Sequence, residues 1–171
     1  MAAGVVLDTS FLITLADATR VHHPAAREYW RHFTENGMPI FLSTIVVSEF
    51  CIRQEIPAEI LRSCVVLPFN WDDAIRAAKL DFTKARQSDE SRDALKDDVK
   101  IIAQAFVKDA GYVITDDTRT FYRYAQQLAT SGVANFKPIK LEDGFDPAFF
   151  NGGQCEFSFD DSEADPTADL E

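Results

Sequence analysis

Short runs of apolar residues alternate along this chain with longer segments in which apolar residues recur at helical spacing. Four such runs, each bounded by polar or turn-forming residues, lie at 5–7, 39–42, 65–67 and 112–115. A short apolar run of this kind indicates a strand that is buried on both faces, as in a parallel sheet. A fifth run at 136–139 contains a proline, which favours a place at the edge of the sheet.

The segments between these runs predict helices. Their approximate limits are 10–17, 24–36, 57–62, 70–87, 96–109 and 118–130, and Ser43 caps a further helix. Asn70 and Asp73 form a capping-box pattern, and Gly37 is a helix stop. Strands that alternate with helices predict the α/β class, here a three-layer α/β/α domain around a central parallel sheet of about five strands.

Charge is distributed unevenly along the chain. Residues 141–171 hold 10 acids and no lysine or arginine, so they account for -10 of the net charge of -11. The first 140 residues hold the other 18 acids and all 17 lysines and arginines. A nearly neutral body can still bind a polyanion if its charges are segregated. We divide the chain into a domain at 1–140 and an acidic C-terminal extension at 141–171.

The C-terminal extension also contains aromatic residues, namely Phe145, Phe149, Phe150, Phe157 and Phe159. Disordered tails rarely carry so many aromatic side chains. We therefore expect residues 141–160 to pack partly on the body and about the last 10 residues to be loose.

Composition excludes several classes of protein. No apolar run approaches the ~20 residues that span a bilayer, so we expect no membrane association. The N-terminus lacks the basic and apolar regions of a signal peptide. Cys51, Cys64 and Cys155 are odd in number and widely spaced, which favours reduced, packed thiols in a cytoplasmic protein. No Gly-x-Gly-x-x-Gly follows the first strand, which argues against a dinucleotide-binding fold. Ser10 stands where phosphatases with a nucleophilic aspartate have the second acid of an Asp-x-Asp pattern, which argues against that class.

Acidic residues stand where the predicted strands end or where a helix faces the core. Asp8 ends the first strand, and Asp116 and Asp117 end the fourth. The carboxyl ends of parallel strands meet at one edge of the sheet, where open α/β folds bind ligands. Glu49 lies among apolar residues of a helix, and Asp98, or the acid before it, lies in the first turn of another. Simpler interpretations exist: Asp8 as a helix cap, and Glu49 as an exposed residue at a helix edge.

Four clustered carboxylates would repel one another strongly without cations. Two unit charges ~4 Å apart at an effective dielectric of 20 cost about 4 kcal/mol. Mg²⁺ and Mn²⁺ prefer carboxylates, water and phosphate oxygens as ligands. Two such ions would balance four carboxylates, lower the pKa of a bound water and stabilise a departing oxygen. The predicted chemistry is metal-assisted hydrolysis of a phosphodiester.

Four motifs, in this order, resemble the PIN domain and in particular the toxin nucleases of VapC type. They are Val5-Val-Leu-Asp8-Thr-Ser-Phe-Leu, Ser48-Glu49-Phe50, Asp98-Val-Lys-Ile-Ile-Ala-Gln-Ala and Val113-Ile-Thr-Asp-Asp117-Thr-Arg-Thr-Phe121. The resemblance covers about residues 4–140. It implies a Mg²⁺- or Mn²⁺-dependent ribonuclease that is the toxin of a toxin–antitoxin pair, with RNA as substrate and an antitoxin protein as partner. It also implies a domain that often forms homodimers.

The resemblance carries over a set of catalytic and metal-binding acids, namely Asp8, Glu49, Asp98 and Asp117. A Thr-x-Asp pattern selects Asp117 over Asp116. The apolar residues that follow select Asp98 over Asp97, and each choice is open to a shift of one position. Thr120 stands where many relatives have a further acid, and Asp116 is the alternative metal ligand. The hydroxyl groups of three residues are predicted to orient the carboxylates. These residues are Thr9, Ser10 and Thr115.

Basic residues near the predicted site are candidates for contact with RNA. They are Arg92 and Lys96 before Asp98, and Arg20 and Arg27 near the second helix. Solvated surface charge is the simpler interpretation for each. We expect the two adjacent histidines at 22 and 23 to lie in a mobile loop, with neither needed as a general base. The alternative function is a PIN-fold module that binds RNA or protein without cleavage.

Overall fold

The computed structural model describes residues 3–80 and 92–150, which form one sheet with helices on both faces. All five strands are parallel. They are β1 (Val5–Leu7), β2 (Ile40–Ser43), β3 (Cys64–Leu67), β4 (Tyr112–Thr115) and β5 (Lys137–Lys140). The predicted α/β class and the five-stranded parallel sheet are confirmed.

Helices connect the strands. They are α1 (Thr9–Ala16), α2 (His23–Glu35), α3 (Thr44–Cys51), α4 (Ala58–Ser63), α5 (Trp71–Lys79), α6 (Arg92–Val107) and α7 (Phe121–Thr130). Two 3₁₀ turns follow β5, at Leu141–Asp143 and Pro147–Phe150. Within residues 3–80 and 92–150, no helix is both long and apolar enough to cross a bilayer.

The sheet order places a topological switch point beside β1. The order is β3-β2-β1-β4-β5, so the chain first extends the sheet on one side of β1 and later on the other. Leu7, the last residue of β1, pairs with Ile114 of β4. Open parallel sheets bind ligands at such a point, outside the carboxyl ends of the strands. Pro138 lies in β5 at the edge of the sheet, as its missing amide hydrogen predicts.

Apolar side chains pack on both faces of the sheet. Val6 packs with buried residues of α3, α6 and α7. Val5 and Leu7 belong to a second cluster that includes Tyr29 and Phe33 of α2. Alternate residues of β1 therefore serve opposite faces, which is the pattern of a strand covered on both sides.

Helix α5 is shorter than predicted. Its start agrees with the prediction, since Asn70 and Asp73 form a complete capping box. The helix nevertheless ends at Lys79, because Leu80 adopts an extended conformation (φ -81°, ψ 110°) and buries its side chain. The remainder of the predicted helix, at 81–87, lies outside the described residues.

Residues 141–150 of the C-terminal extension lie against α2. Leu141 is 1% exposed. The rings of Phe145 and Phe150 contact the Tyr29 ring edge-to-face, with centroid distances of 5.0 and 6.0 Å. The Tyr29 hydroxyl donates a hydrogen bond to the Gly144 carbonyl oxygen at 2.9 Å. On the basis of these contacts we propose that the folded domain continues to about residue 150, beyond the boundary at residue 140 that the sequence predicted.

The two cysteines in the described residues carry free thiols. Cys64 is partly buried, and burial raises the pKa of its thiol to about 12. Cys51 is exposed because it ends α3 at the surface, so the expectation that it is packed is wrong. Cys155, Phe157, Phe159 and the end expected to be loose lie outside the described residues.

Candidate active site

Asp8 is a buried acid that also caps helix α1. The residue is 3% exposed and directly follows β1. Its Oδ2 accepts hydrogen bonds from the Ser10 amide (3.2 Å), the Ser10 hydroxyl (2.6 Å) and the Thr115 hydroxyl (2.7 Å). Burial raises the pKa of Asp8 more than these hydrogen bonds lower it. Asp8 is therefore a helix cap, but capping alone does not account for the cost of burying its charge.

The same two hydroxyl groups connect the ends of β1 and β4. Each donates its hydrogen to Asp8, so its oxygen lone pairs remain to accept. Ser10 Oγ accepts from the Asp116 amide at 2.8 Å, and Thr115 Oγ1 accepts from the Asp117 amide at 2.9 Å. These bonds hold the backbone after β4 against Asp8.

Glu49 reaches the same edge of the sheet from helix α3. It is partly buried, and the Thr9 hydroxyl donates a hydrogen bond to its Oε2. Burial raises the pKa of Glu49. The negative charges of Asp97 and Asp8 raise it further, against the opposing effects of the Thr9 hydrogen bond and the Lys100 charge. Glu49 is therefore not a fully solvated residue at a helix edge.

Asp98 carries a buried oxygen that lacks a partner. Within the described residues, its Oδ2 is inaccessible to solvent and accepts no hydrogen bond. Burial is the main cause that raises its pKa to about 8, and the charges of Asp8 and Asp117 follow. The Glu49 charge adds a smaller increase, and a hydrogen bond from Thr120 opposes it. The four acids thus lie close enough to repel one another, and we call Asp8, Glu49, Asp98 and Asp117 the acid group.

Asp97, the alternative to Asp98, is partly exposed and is paired with a lysine. Its carboxylate forms an ion pair with Lys100 at 2.7 Å, and its side chain is 33% exposed. The geometry therefore favours Asp98 as the inward acid of this pair. Both acids lie inside α6, which begins at Arg92, earlier than the predicted start near Lys96.

Asp117 holds the turn between β4 and α7. Its Oδ1 accepts from the Arg119 amide (2.8 Å) and the Thr120 amide (3.1 Å), and its Oδ2 accepts from the Thr120 hydroxyl. A side chain that binds the next amides competes with helical hydrogen bonds, which explains why α7 begins at Phe121 and not near residue 118. The Thr120 hydroxyl also lowers the pKa of Asp98, so it lies near two members of the acid group.

Asp116 is bound elsewhere, against α1 and the start of α2. Its Oδ2 accepts from the Thr14 hydroxyl at 2.6 Å, and its Oδ1 lies 2.6 Å from His22 Nδ1. His23 Nδ1 donates to the Thr14 carbonyl oxygen at 3.0 Å. The expectation of a mobile loop is therefore wrong, because His22 is paired with Asp116 and His23 begins α2 and bonds to α1. The structure does not bring Asp116 into the acid group, since both of its oxygens are engaged by other partners.

A family comparison covers all of these acids. The sequence profile of the PIN domain matches residues 5–127, which is most of the chain. The chain belongs to the PIN domain family. No curated protein sequence matches it.

Solved structures with a similar fold include three from toxin systems. VapC20 of Mycobacterium tuberculosis, a sarcin–ricin loop cleaving toxin, is 17% identical with a TM-score of 0.52, and the match covers 79% of this chain and 100% of that one. DNA-bound VapBC of Salmonella typhimurium is 17% identical with a TM-score of 0.53, covering 81% and 98%. A toxin–antitoxin complex of Klebsiella pneumoniae is 22% identical with a TM-score of 0.50, covering 69% and 90%. At these identities the similarity establishes a shared PIN fold.

The donor atoms of this PIN domain suit a hard divalent cation. Among residues 3–80 and 92–150, no three aspartate, glutamate, histidine or cysteine side chains converge closely enough to ligate one ion together. The chemistry of the donors nevertheless fits Mg²⁺ or Mn²⁺, because all four are carboxylates and the buried Asp98 Oδ2 has no partner in the described residues. A cation would supply that partner and offset the repulsion that helps to raise the pKa of Asp98.

The basic residues predicted to contact RNA occupy different parts of the PIN domain. Arg20 lines a cavity of about 320 Å³ that Glu49 also lines. Arg27 lines a separate groove of about 780 Å³ between α2 and α4. Arg92 and Lys96 lie in the first turns of α6, and the Lys96 side chain is exposed.

We expect Thr115→Val to lower the free energy of unfolding by about 2 kcal/mol. Valine keeps the shape of the side chain but removes the donor to Asp8 and the acceptor for the Asp117 amide at a residue that is 0% exposed. Urea unfolding in the presence of a chelator measures this loss. Thr130→Val is the matched control, because the Thr130 hydroxyl bonds only to carbonyls of its own helix at the surface. If the two variants lost the same free energy of unfolding, the hydrogen bonds of Thr115 to Asp8 and to the Asp117 amide would not stabilise the fold as we expect.

Proposed function

We propose that this PIN domain is a ribonuclease that hydrolyses RNA phosphodiester bonds with Mg²⁺ or Mn²⁺ held by the acid group. The observation that carries the proposal is the buried, unpartnered oxygen of Asp98, close to the negative charges of Asp8 and Asp117. Such an arrangement destabilises the fold on its own. A divalent cation bound between the carboxylates is the ligand that best removes this penalty.

When bound, the cation lowers the pKa of an attacking water and stabilises charge on the scissile phosphate. The residues of the chain hold the carboxylates in place. Four hydroxyl groups do this, each by a hydrogen bond to a member of the acid group, namely those of Thr9, Ser10, Thr115 and Thr120. A carboxylate that is already oriented loses less conformational freedom on ligand binding. We therefore assign these residues to orientation of the ligands.

RNA is the proposed substrate because one protein with this fold is a toxin that cleaves the sarcin–ricin loop. Another structure with this fold is a toxin–antitoxin complex, so we propose a cognate antitoxin as the partner that neutralises this chain. The free thiols at Cys51 and Cys64 suit the reducing cytoplasm, where both partners would act. Arg20, Arg27, Arg92 and Lys96 are retained as proposed phosphate contacts.

The first test compares cleavage of a mixed cellular RNA pool by the wild type and by Asp8→Asn. Each protein is assayed with Mg²⁺, with Mn²⁺ and with a chelator. We expect the wild type to cut with either ion and not with chelator. We expect Asp8→Asn to be more than about 100-fold slower, because asparagine keeps the helix cap but lacks the ligand charge.

Asp109→Asn is the matched control for this experiment. Asp109 has a positive φ of 49°, a conformation that asparagine adopts readily, and it is exposed. It should cleave like the wild type. Cleavage that survives in Asp8→Asn would show that the active site lies elsewhere.

A second candidate function is a PIN-fold module that binds RNA or protein without cleavage. Thr120 favours it, since a threonine stands where many relatives have a further acid. Binding of metal ions by a folded protein that cuts no RNA with any ion would support this candidate.

A further inference from the structure

The cavity beside Glu49 is formed by two elements that meet at the acid group. Its wall contains residues from the end of α1, from the turn after α1 and from the end of α3. Ile13, which is partly exposed, contributes apolar surface, and Glu49 lines the same wall. We call this space of about 320 Å³ the Glu49 cavity. A ligand in it would lie next to a phosphate bound at the acid group.

Two arginines line the Glu49 cavity, Arg20 and Arg53. Both are exposed, and in the described part of the chain neither forms an ion pair with a carboxylate. Asp17, which also lines the cavity, accepts hydrogen bonds from the Thr19 amide (3.0 Å) and hydroxyl (2.6 Å). Arg20 helps these bonds to lower the pKa of Asp17, so part of its charge is balanced locally. Arg53 is the cation with the most unbalanced charge at this wall.

Gln54 adds a neutral amide to the same wall. Its side chain is able to donate and accept hydrogen bonds at once, which is what the edge of a nucleobase requires. Apolar surface, an amide and two guanidinium groups correspond to the base face, the base edge and the phosphate of a nucleotide. The volume lies at the small end of the range for ligand sites, which suits one nucleotide and excludes a duplex.

We propose that the Glu49 cavity binds one unpaired nucleotide of RNA immediately beside the scissile phosphate, a proposal that rests on the ribonuclease function. Arg53, with Arg20, binds the phosphate of that nucleotide. Ile13 packs against its base, and Gln54 forms hydrogen bonds with the base edge. The two arginines favour an anionic ligand and disfavour a basic peptide, and the proposed ribonuclease function makes RNA the anion that we infer. The cavity then determines which nucleotide is preferred next to the cut.

The test measures binding of a short fluorescein-labelled single-stranded RNA in chelator, together with the map of cleavage sites in Mn²⁺. Arg53→Ala should weaken binding about tenfold and reduce the slope of log affinity against log salt by about 0.7. Gln54→Ala should leave the salt slope unchanged but alter the nucleotide preference beside the cut by about tenfold. Arg62→Ala is the matched control, since Arg62 is an exposed arginine of α4 that does not line the cavity.

The outcomes separate this proposal from the ribonuclease function. If the wild type cuts RNA and both cavity variants match Arg62→Ala in affinity, salt slope and cleavage map, the cavity proposal is wrong and the nuclease stands. If the wild type cuts no RNA but Arg53→Ala still weakens RNA binding as expected, the cavity binds RNA, but the ribonuclease function and the place of the cavity beside a scissile phosphate are wrong. Loss of affinity for an antitoxin with unchanged affinity for RNA would assign the cavity to a protein partner and overturn the proposal.

Discussion

In metal-free buffer above pH 8, Asp98→Asn will unfold at a higher temperature than the wild type. The pKa of Asp98 rises from an ordinary value of 3.8 to about 8, chiefly because of burial and then because of the charges of Asp8 and Asp117. In the unfolded chain the pKa returns to its ordinary value, so the fold loses stability as the pH rises from about 4 through about 8. Below that window the carboxyl group is protonated in both states and carries no penalty. Asparagine is uncharged at every pH, so the variant never carries the cost of burying a charge at this position.

The expected stabilisation is about 2 kcal/mol above pH 8. Each unit of pKa difference corresponds to about 1.4 kcal/mol, and the partial exposure of the Asp98 side chain reduces the full value. For a chain of this size, 2 kcal/mol raises the melting temperature by about 4–8 °C. The same substitution should abolish RNA cleavage, because it removes a charge that the divalent cation requires. A gain in stability with a loss of activity is typical of a functional group that strains its own fold.

Thermal unfolding in chelator at acidic and alkaline pH measures this effect, followed by addition of Mn²⁺. The stability gain of the variant should be absent near pH 4, grow as the pH rises and be complete above about pH 8, and Mn²⁺ should stabilise the wild type but not the variant. Asp97→Asn is the matched control, because the Asp97 carboxylate is paired with Lys100 at the surface. If Asp97→Asn showed the alkaline gain and Asp98→Asn did not, Asp97 would be the acid of the metal site.

Truncation after Lys140 will destabilise the protein by at least about 4 kcal/mol, a large part of the stability of an ordinary domain. It removes the buried Leu141 and the Phe150 ring, which stacks on His32 at 4.5 Å and meets Tyr112 edge-to-face at 4.9 Å. It also removes the carbonyl that accepts the Tyr29 hydroxyl. Urea unfolding, with the midpoint and slope compared with the full chain, measures the loss.

Truncation after Phe150 is the matched control, because it keeps every contact described for residues 141–150. We expect its stability to lie within about 1 kcal/mol of the full chain. Equal losses in the two truncations would show that residues 141–150 contribute nothing to the fold. Truncation after Phe150 is also the variant that tests whether the acidic residues beyond 150 limit access of RNA, because we expect this variant to stay folded.

Local patterns in the sequence predicted the framework well. Each strand lies within one residue of the apolar run that predicted it, from Val5–Leu7 to Lys137–Lys140. The end of α2 at Gly37 (φ 60°) and the capping box at Asn70 are likewise present. These features depend on side chains a few residues apart, so the sequence contains the whole signal.

Errors arose where a distant contact competes with a local pattern. The periodicity beyond Lys79 favours more helix, yet burial of Leu80 ends α5. The sequence predicted a mobile loop for the two histidines, yet His22 is held by Asp116, a residue from the other half of the chain. Arg53 and Gln54 follow α3 without any motif, and only the packing of α1 against α3 forms the cavity that they line together with Glu49.

The sequence by itself determined the α/β fold, the family and the acids that stand at the ends of β1 and β4. Only the tertiary structure decided which of two adjacent acids faces the acid group. Asp116 and Asp117 have the same chemistry and are adjacent in sequence, but their carboxylates bind different partners. Asp116 is held by remote partners, since Thr14 lies 102 residues and His22 94 residues away along the chain, whereas the Asp117 carboxylate is held by groups two to three residues away. The direction of a side chain depends on such long-range hydrogen bonds, which local sequence patterns do not encode.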